Sequence, residues 1–175
     1  NYFLGKGLEG IDESLYTLLN SKEYFSVYPP FNQVLFFLSV LISPSSITWS
    51  IIILRVIILV FEIGNISMIR KLLRHYKLPQ IYGLFYALNP LVILELTGNL
   101  HFEGVMIYFT LRALWSYEQG KLNSSAVFFG LSVATKFLPL IFLPLLFRKT
   151  GFKKTMLYGV IVGATLTVTF LPLIN

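Results

Sequence analysis

Six apolar runs separated by short polar breaks organise the chain. The first, Phe31 to Ile42, reaches about 18 Å as a helix, short of the roughly 30 Å hydrocarbon core of a bilayer. It either re-enters or spans with help from its flanks, and its shortness favours re-entry. Ser43-Pro44-Ser45-Ser46 breaks it and offers an N-cap. The second run, Ile47 to Ile69, is long enough to cross. The third, Ile81 to Leu96, carries Asn89-Pro90, a predicted kink. Thr97-Gly98-Asn99 turns the chain into the fourth, from about Phe102 to Tyr117. Asn123 or Ser124 is the expected cap of the fifth run, Ser125 to Phe147, which Lys136, Pro139 and Pro144 interrupt. The sixth spans Thr155 to Leu173. Residues 1–27 are the mixed polar stretch: Ile11, Leu15, Leu18 and Leu19 fall at helical spacing around Asp12 and Glu13, the pattern of an amphipathic helix lying on a membrane surface.

The expected fold is therefore all-α: a polytopic helical bundle in a membrane, with five to six membrane segments. One partial transmembrane domain covers 1–175, with an external loop over 1–30 and membrane helices over 31–175. Composition agrees. The 175 residues are 55% hydrophobic and 13% charged, with a mean hydropathy of +0.73. A soluble domain is about 25% charged, and a chain this poor in charge cannot cover a water-facing surface of its size. The absence of cysteine removes disulfides, thiolate metal sites and cysteine nucleophiles. The net charge of +6 reflects basic residues gathered between apolar runs, so it bears on topology and not on nucleic acid. Because the chain starts at Asn1 without Met and ends just after an apolar run, it reads as an internal fragment.

The positive-inside rule puts Arg70 to Lys77 and Arg148 to Lys154 in the cytoplasm. The third and fourth runs then form a hairpin whose tip, Gly98 to Glu103, is outside. The fifth run must leave the cytoplasm and return. Its length allows a helix and a re-entrant half-helix, broken near Lys136-Phe137-Leu138-Pro139. Lys136 then lies at the level of His101 and Glu103.

Several residues are candidates for chemistry. Arg55 and Glu62 sit inside the second run, where each charge costs about 2.5–3.5 kcal/mol on insertion. They lie roughly 10 Å apart along the helix, too far to pair; they mark either a functional interior or a polar contact between helices. In Gly98-Asn99-Leu100-His101-Phe102-Glu103-Gly104 two glycines flank Asn, His and Glu at a helix start. Such an end suits a phosphate, and His101 suits proton transfer or donation to a phosphate oxygen. An ordinary turn, with Glu103 favouring the helix dipole, accounts for the same residues. Lys136 either faces a phosphate or snorkels to the interface. Asn32 and Gln33 either line a polar pocket or satisfy free helix N–H groups.

Taken together, Tyr28-Pro29-Pro30-Phe31-Asn32-Gln33, Leu88-Asn89-Pro90-Leu91, Gly98 to Gly104 and Gly130-Leu131-Ser132-Val133-Ala134-Thr135-Lys136-Phe137-Leu138-Pro139 resemble successive blocks of GT-C class membrane mannosyltransferases. The order is similar to that in the catalytic subunit of GPI mannosyltransferase I, in bacterial polyprenyl-phosphate-mannose-dependent relatives and in mannosyltransferase-like proteins of the Bacteroidetes type. The resemblance covers about residues 11–150. It implies an inverting hexosyltransferase, multi-pass in a bacterial inner membrane. Such an enzyme moves a hexose, by resemblance mannose, from a polyprenyl-phosphate sugar to a lipid or glycan acceptor at the extracytoplasmic face. It implies a catalytic acidic motif upstream of Asn1, so no catalytic residue is assigned here. Tyr28, Asn32, Gln33, Asn99, His101, Glu103 and Lys136 are the expected substrate-binding residues. No metal ligand is assigned, and participation of a divalent metal stays open. The alternatives are a transporter or lipid flippase, and a non-catalytic membrane subunit.

Overall fold

A computed structural model describes residues 28–173. The amphipathic surface helix expected around Ile11 to Leu19 lies outside the described residues. Among those described, regular structure is entirely helical: α1 (Pro30–Ile42), α2 (Ile47–His75), α3 (Leu84–Ala87), α4 (Glu103–Glu118), α5 (Leu122–Thr135), α6 (Leu143–Thr150) and α7 (Phe152–Phe170). Short 3-10 pieces cover Gln80–Gly83, Leu138–Phe142 and Leu171–Leu173, and a π-helical stretch covers Val92–Gly98.

Proline and turn chemistry explain most boundaries. Pro30 stands at the first position of α1, where its missing N–H is not needed. The Ser46 hydroxyl accepts from the Trp49 N–H and caps α2. At Asn89-Pro90 the chain breaks: Gln80–Ala87 and Val92–Gly98 meet at 59°, and the Asn89 side chain accepts the Leu91 N–H at 3.0 Å. The fifth run is likewise divided into α5, a 3-10 turn and α6.

Three expectations change. The second run does not stop at Ile69 but continues to His75, because Arg70, Lys71 and Arg74 are good helix formers and favour a helix C-terminus. Neither Asn123 nor Ser124 caps α5. Gly120, at φ +71°, closes α4: its N–H bonds to the Tyr117 carbonyl, and that of Lys121 bonds to the Ser116 carbonyl. This Schellman closure starts α5 directly at Leu122. Finally, helix lengths do not support five to six membrane segments. One described helix, α2, is long and apolar enough to cross, or two spans if the bent pair is counted as one. α1 and α5 are too short. α7 carries Lys153 and Lys154 together with Thr155, Thr165, Thr167 and Thr169, which lower its apolar character.

Packing centres on the α4–α5 hairpin. α7 lies against α5, α2 against α4, and α1 across both α2 and α5. One apolar core joins Ala113, Ala126, Phe129, Val133, Tyr158 and Val162; the other joins Leu35, Phe102, Val105 and Phe109. Hydroxyls stitch the hairpin. Ser132 donates to the Met106 carbonyl and Ser125 to that of Ala113, each at 2.8 Å. Gly130 lets α7 approach, since a Cβ there would stand 2.7 Å from the Thr165 side chain. The outer face stays apolar: Phe85 is 77% exposed, and only 11% of the most apolar window of α2 is buried.

Candidate functional site

Glu62 and Asn65, one turn apart on α2, are buried. Asn65 Nδ2 lies 2.9 Å from the Gly104 carbonyl and 3.2 Å from Glu62 Oε1. The Tyr86 hydroxyl donates to Glu62 Oε2 at 2.8 Å. This network pins α2 to the start of α4. Gly104 is required for it, because a Cβ there would come within 2.0 Å of Glu62 Oε1. Glu62 is thus a packing contact between helices. Arg55 does not pair with it; its Nη2 donates to the Gly98 carbonyl at 3.2 Å, fixing the turn that leads into α4.

That turn carries the candidate chemistry. Leu100 takes φ +58°, a conformation unfavourable for a bulky side chain. It presents His101 to solvent and turns Phe102 into the core. His101 stands between two carboxylates, with Nδ1 3.6 Å from Glu103 and Nε2 3.8 Å from Glu95. Asn99 Nδ2 donates to Glu95 Oε2 at 3.2 Å. The Lys136 ammonium pairs with the Glu103 carboxylate. Both ends of that pair reach water, with Lys136 50% and Glu103 30% exposed. At the start of α4, burial raises the Glu103 carboxyl pKa. Hydrogen bonds from Lys136 and its own backbone, with the charges of Lys136 and His101, outweigh this and hold it below the usual carboxylate range.

Lys136 owes its position to Pro139. A helix continuing past Thr135 would need residue 139 to donate to the Thr135 carbonyl, and proline has no N–H. Lys136 turns extended instead, at φ −160° and ψ 138°. Asn32 Nδ2 takes the freed Thr135 carbonyl at 3.0 Å. This brings the start of α1 beside Lys136. Tyr28 packs edge-on against Phe36 and Phe102, which also pack on each other. Gln33 Nε2 reaches the Tyr28 carbonyl at 3.3 Å.

All seven expected site residues thus gather at one end of the bundle. His101, Glu103 and Lys136 form a contiguous polar surface, with Asn99 joined through Glu95. Asn32 is different: it is 2% exposed and bonded to backbone, so it braces the wall. Its Oδ1 is buried without a protein partner. Among the described residues no group of three His, Asp or Glu side chains is arranged to hold a metal. Sequence reasoning passed over Glu95 and Tyr86. The four-residue spacing from Glu95 to Asn99 was a readable signal for the former; nothing local signals the latter.

A family model described as the alpha-(1->6)-mannopyranosyltransferase N-terminal domain matches residues 22–149. No curated protein and no solved structure matches the chain.

Proposed function

From the premise that this chain belongs to the alpha-(1->6)-mannopyranosyltransferase N-terminal domain family, and so to glycosyltransferases, we propose that it forms part of a multi-pass enzyme of a bacterial inner membrane. The donor in this reading is a polyprenyl-phosphate hexose, with mannose as the sugar. The acceptor is a lipid or glycan at the extracytoplasmic face. The apolar exterior supports the membrane reading, because a water-facing surface of that kind would associate. Counted together, the pieces on either side of Pro90, Gln80–Ala87 and Val92–Gly98, are long and apolar enough for a second, bent span.

The observation that carries the reading is the convergence of Lys136, Glu103 and His101 at the start of α4. In an inverting transfer the acceptor hydroxyl attacks the anomeric carbon from the face opposite the phosphate. Its proton passes to a base, and the carbon–oxygen bond to phosphate breaks. Negative charge then grows on the departing lipid phosphate. A cation and helix N–H groups aimed at that charge lower the barrier. Lys136, on its flexible stem, exchanges Glu103 for the phosphate, while His101 donates to a phosphate oxygen and holds Glu103. Tyr28, Gln33 and Asn99 border the sugar or acceptor. No residue of this chain is assigned as the base.

Broken helices also suit a transporter; the family match favours the transferase. The test is transfer of radiolabelled hexose from polyprenyl-phosphate-mannose by membranes containing the full-length protein. Label appearing in an acceptor supports the reading. No transfer from any polyprenyl-phosphate sugar, together with substrate uptake into vesicles, overturns it.

A further inference from the structure

At the end of the bundle away from Lys136, an open groove of about 350 Å³ runs between α4, α5, α6 and α7. Its walls are apolar, built by Ala113, Leu114, Phe129, Phe142 and Leu146. The polar groups in its lining already have partners. The Thr110 hydroxyl bonds to the Met106 carbonyl and Ser132, and Ser125 bonds to the Ala113 carbonyl and Tyr158. The groove body therefore asks for an apolar occupant.

Its mouth is different. Lys149 and Tyr117 line both this groove and an adjoining cavity of about 380 Å³, which Lys154, Thr150 and Glu118 also line. Among the described residues neither Lys149 nor Lys154 is paired with a carboxylate, whereas Glu118 lies 3.4 Å from His75. Arg148 and Lys153 add positive charge to the same short turn. The mouth is remote from the cluster around Lys136. Glu103 and Tyr117 are fourteen residues apart on α4, about 21 Å.

We propose that this groove and its mouth bind one anionic membrane phospholipid, with an acyl chain in the groove and the phosphate between Lys149 and Lys154. Charge complementarity selects this occupant: an apolar helix or a neutral lipid fills the body equally well but leaves the lysines unused. The inference rests on the multi-span reading above, which places this turn at the cytoplasmic surface, where anionic headgroups attract basic residues.

The test is native mass spectrometry of the full-length protein in neutral detergent. Phosphatidylglycerol, phosphatidylcholine with the same acyl chains, and polyprenyl phosphate are added separately and in competition. One phosphatidylglycerol per chain is expected, held about tenfold more tightly than phosphatidylcholine, whose choline cation the clustered lysines repel. Lys149→Gln with Lys154→Gln abolishes the preference and leaves the lipid-free melting temperature unchanged. Polyprenyl phosphate does not displace the bound phospholipid. Equal retention of the two phospholipids, an unaltered preference in the double variant, or displacement by polyprenyl phosphate overturns the proposal. Recovery of the protein in a detergent-free soluble fraction would instead refute the membrane reading itself.

Discussion

Glu62 and Gly104, from different helices, approach so closely that the carboxylate occupies the space a side chain at position 104 would need. Gly104→Ala should therefore destabilise the protein by about 1–3 kcal/mol, the usual range for overpacking. Thermal unfolding in detergent measures it. The loss should shrink in a Glu62→Ala background, because the clash is then removed; an unchanged loss would place the role of Gly104 elsewhere.

Asn32 and Thr135 give a second prediction. Asn32→Ala leaves the Thr135 carbonyl, already deprived of a helical donor by Pro139, without its partner. The expected loss is about 1–3 kcal/mol, that of an unsatisfied buried acceptor. Because Asn32 is buried and bonded to backbone, donor KM should change little in the folded fraction. A large KM rise with unaltered stability would contradict the bracing role.

Gly120 and Lys77 both occupy left-handed backbone at the ends of helices. No neighbouring atom lies within 4 Å of a Cβ built at Gly120, so Gly120→Ala isolates the backbone effect. It should cost about 1–2 kcal/mol. Lys77→Gly should move stability in the opposite direction by a smaller amount, since glycine also gains freedom in the unfolded chain. Melting temperatures of the two variants test the signs.

The Glu103 carboxyl is held below its ordinary range, so its contribution to stability is present above the unfolded pKa. It is lost as pH falls through the lowered folded pKa. Glu103→Gln should flatten that acid limb. The difference stays below about 1 kcal/mol, because both partners reach water. Unfolding midpoints measured from neutral pH down to pH 3 would show it; parallel curves for the two proteins would contradict it.

The legible parts of this chain were those set by local chemistry. Pro90 and Pro139 fall where a continuing helix would need a backbone N–H, so the kink and the interruption after Thr135 followed from sequence. The convergence of Lys136 with Glu103 also had a local basis, through run lengths and the spacing of basic clusters. The start of α5 was misread because a left-handed Gly120 acts on the helix before it as well as the one after. Overcounting the membrane segments has a related cause: apolar composition continues across proline breaks, but helices do not. The network of Glu62, Asn65, Tyr86 and Gly104 was illegible for a different reason. Apart from the Glu62–Asn65 step within α2, its partners lie 21 to 42 positions apart, and no periodicity within one helix announces them.

The proposed reaction requires Lys136 to meet a departing phosphate. Lys136→Ala in the full-length protein should lower transfer about 10²–10³-fold, the scale of losing one charge-stabilising donor. His101→Ala should also reduce the rate, while Lys153→Ala should not. Transfer assays with the purified proteins would separate these outcomes, and near-normal rates in the first two would remove them from the site.

The central claim is that His101 and Lys136 share one aqueous surface on the side of the membrane opposite Lys153. This chain contains no cysteine, so H101C, K136C and K153C each add one to it. A membrane-impermeant maleimide applied to intact spheroplasts should label H101C and K136C, and should label K153C only after permeabilisation. Labelling of H101C and K136C from opposite sides would contradict the account.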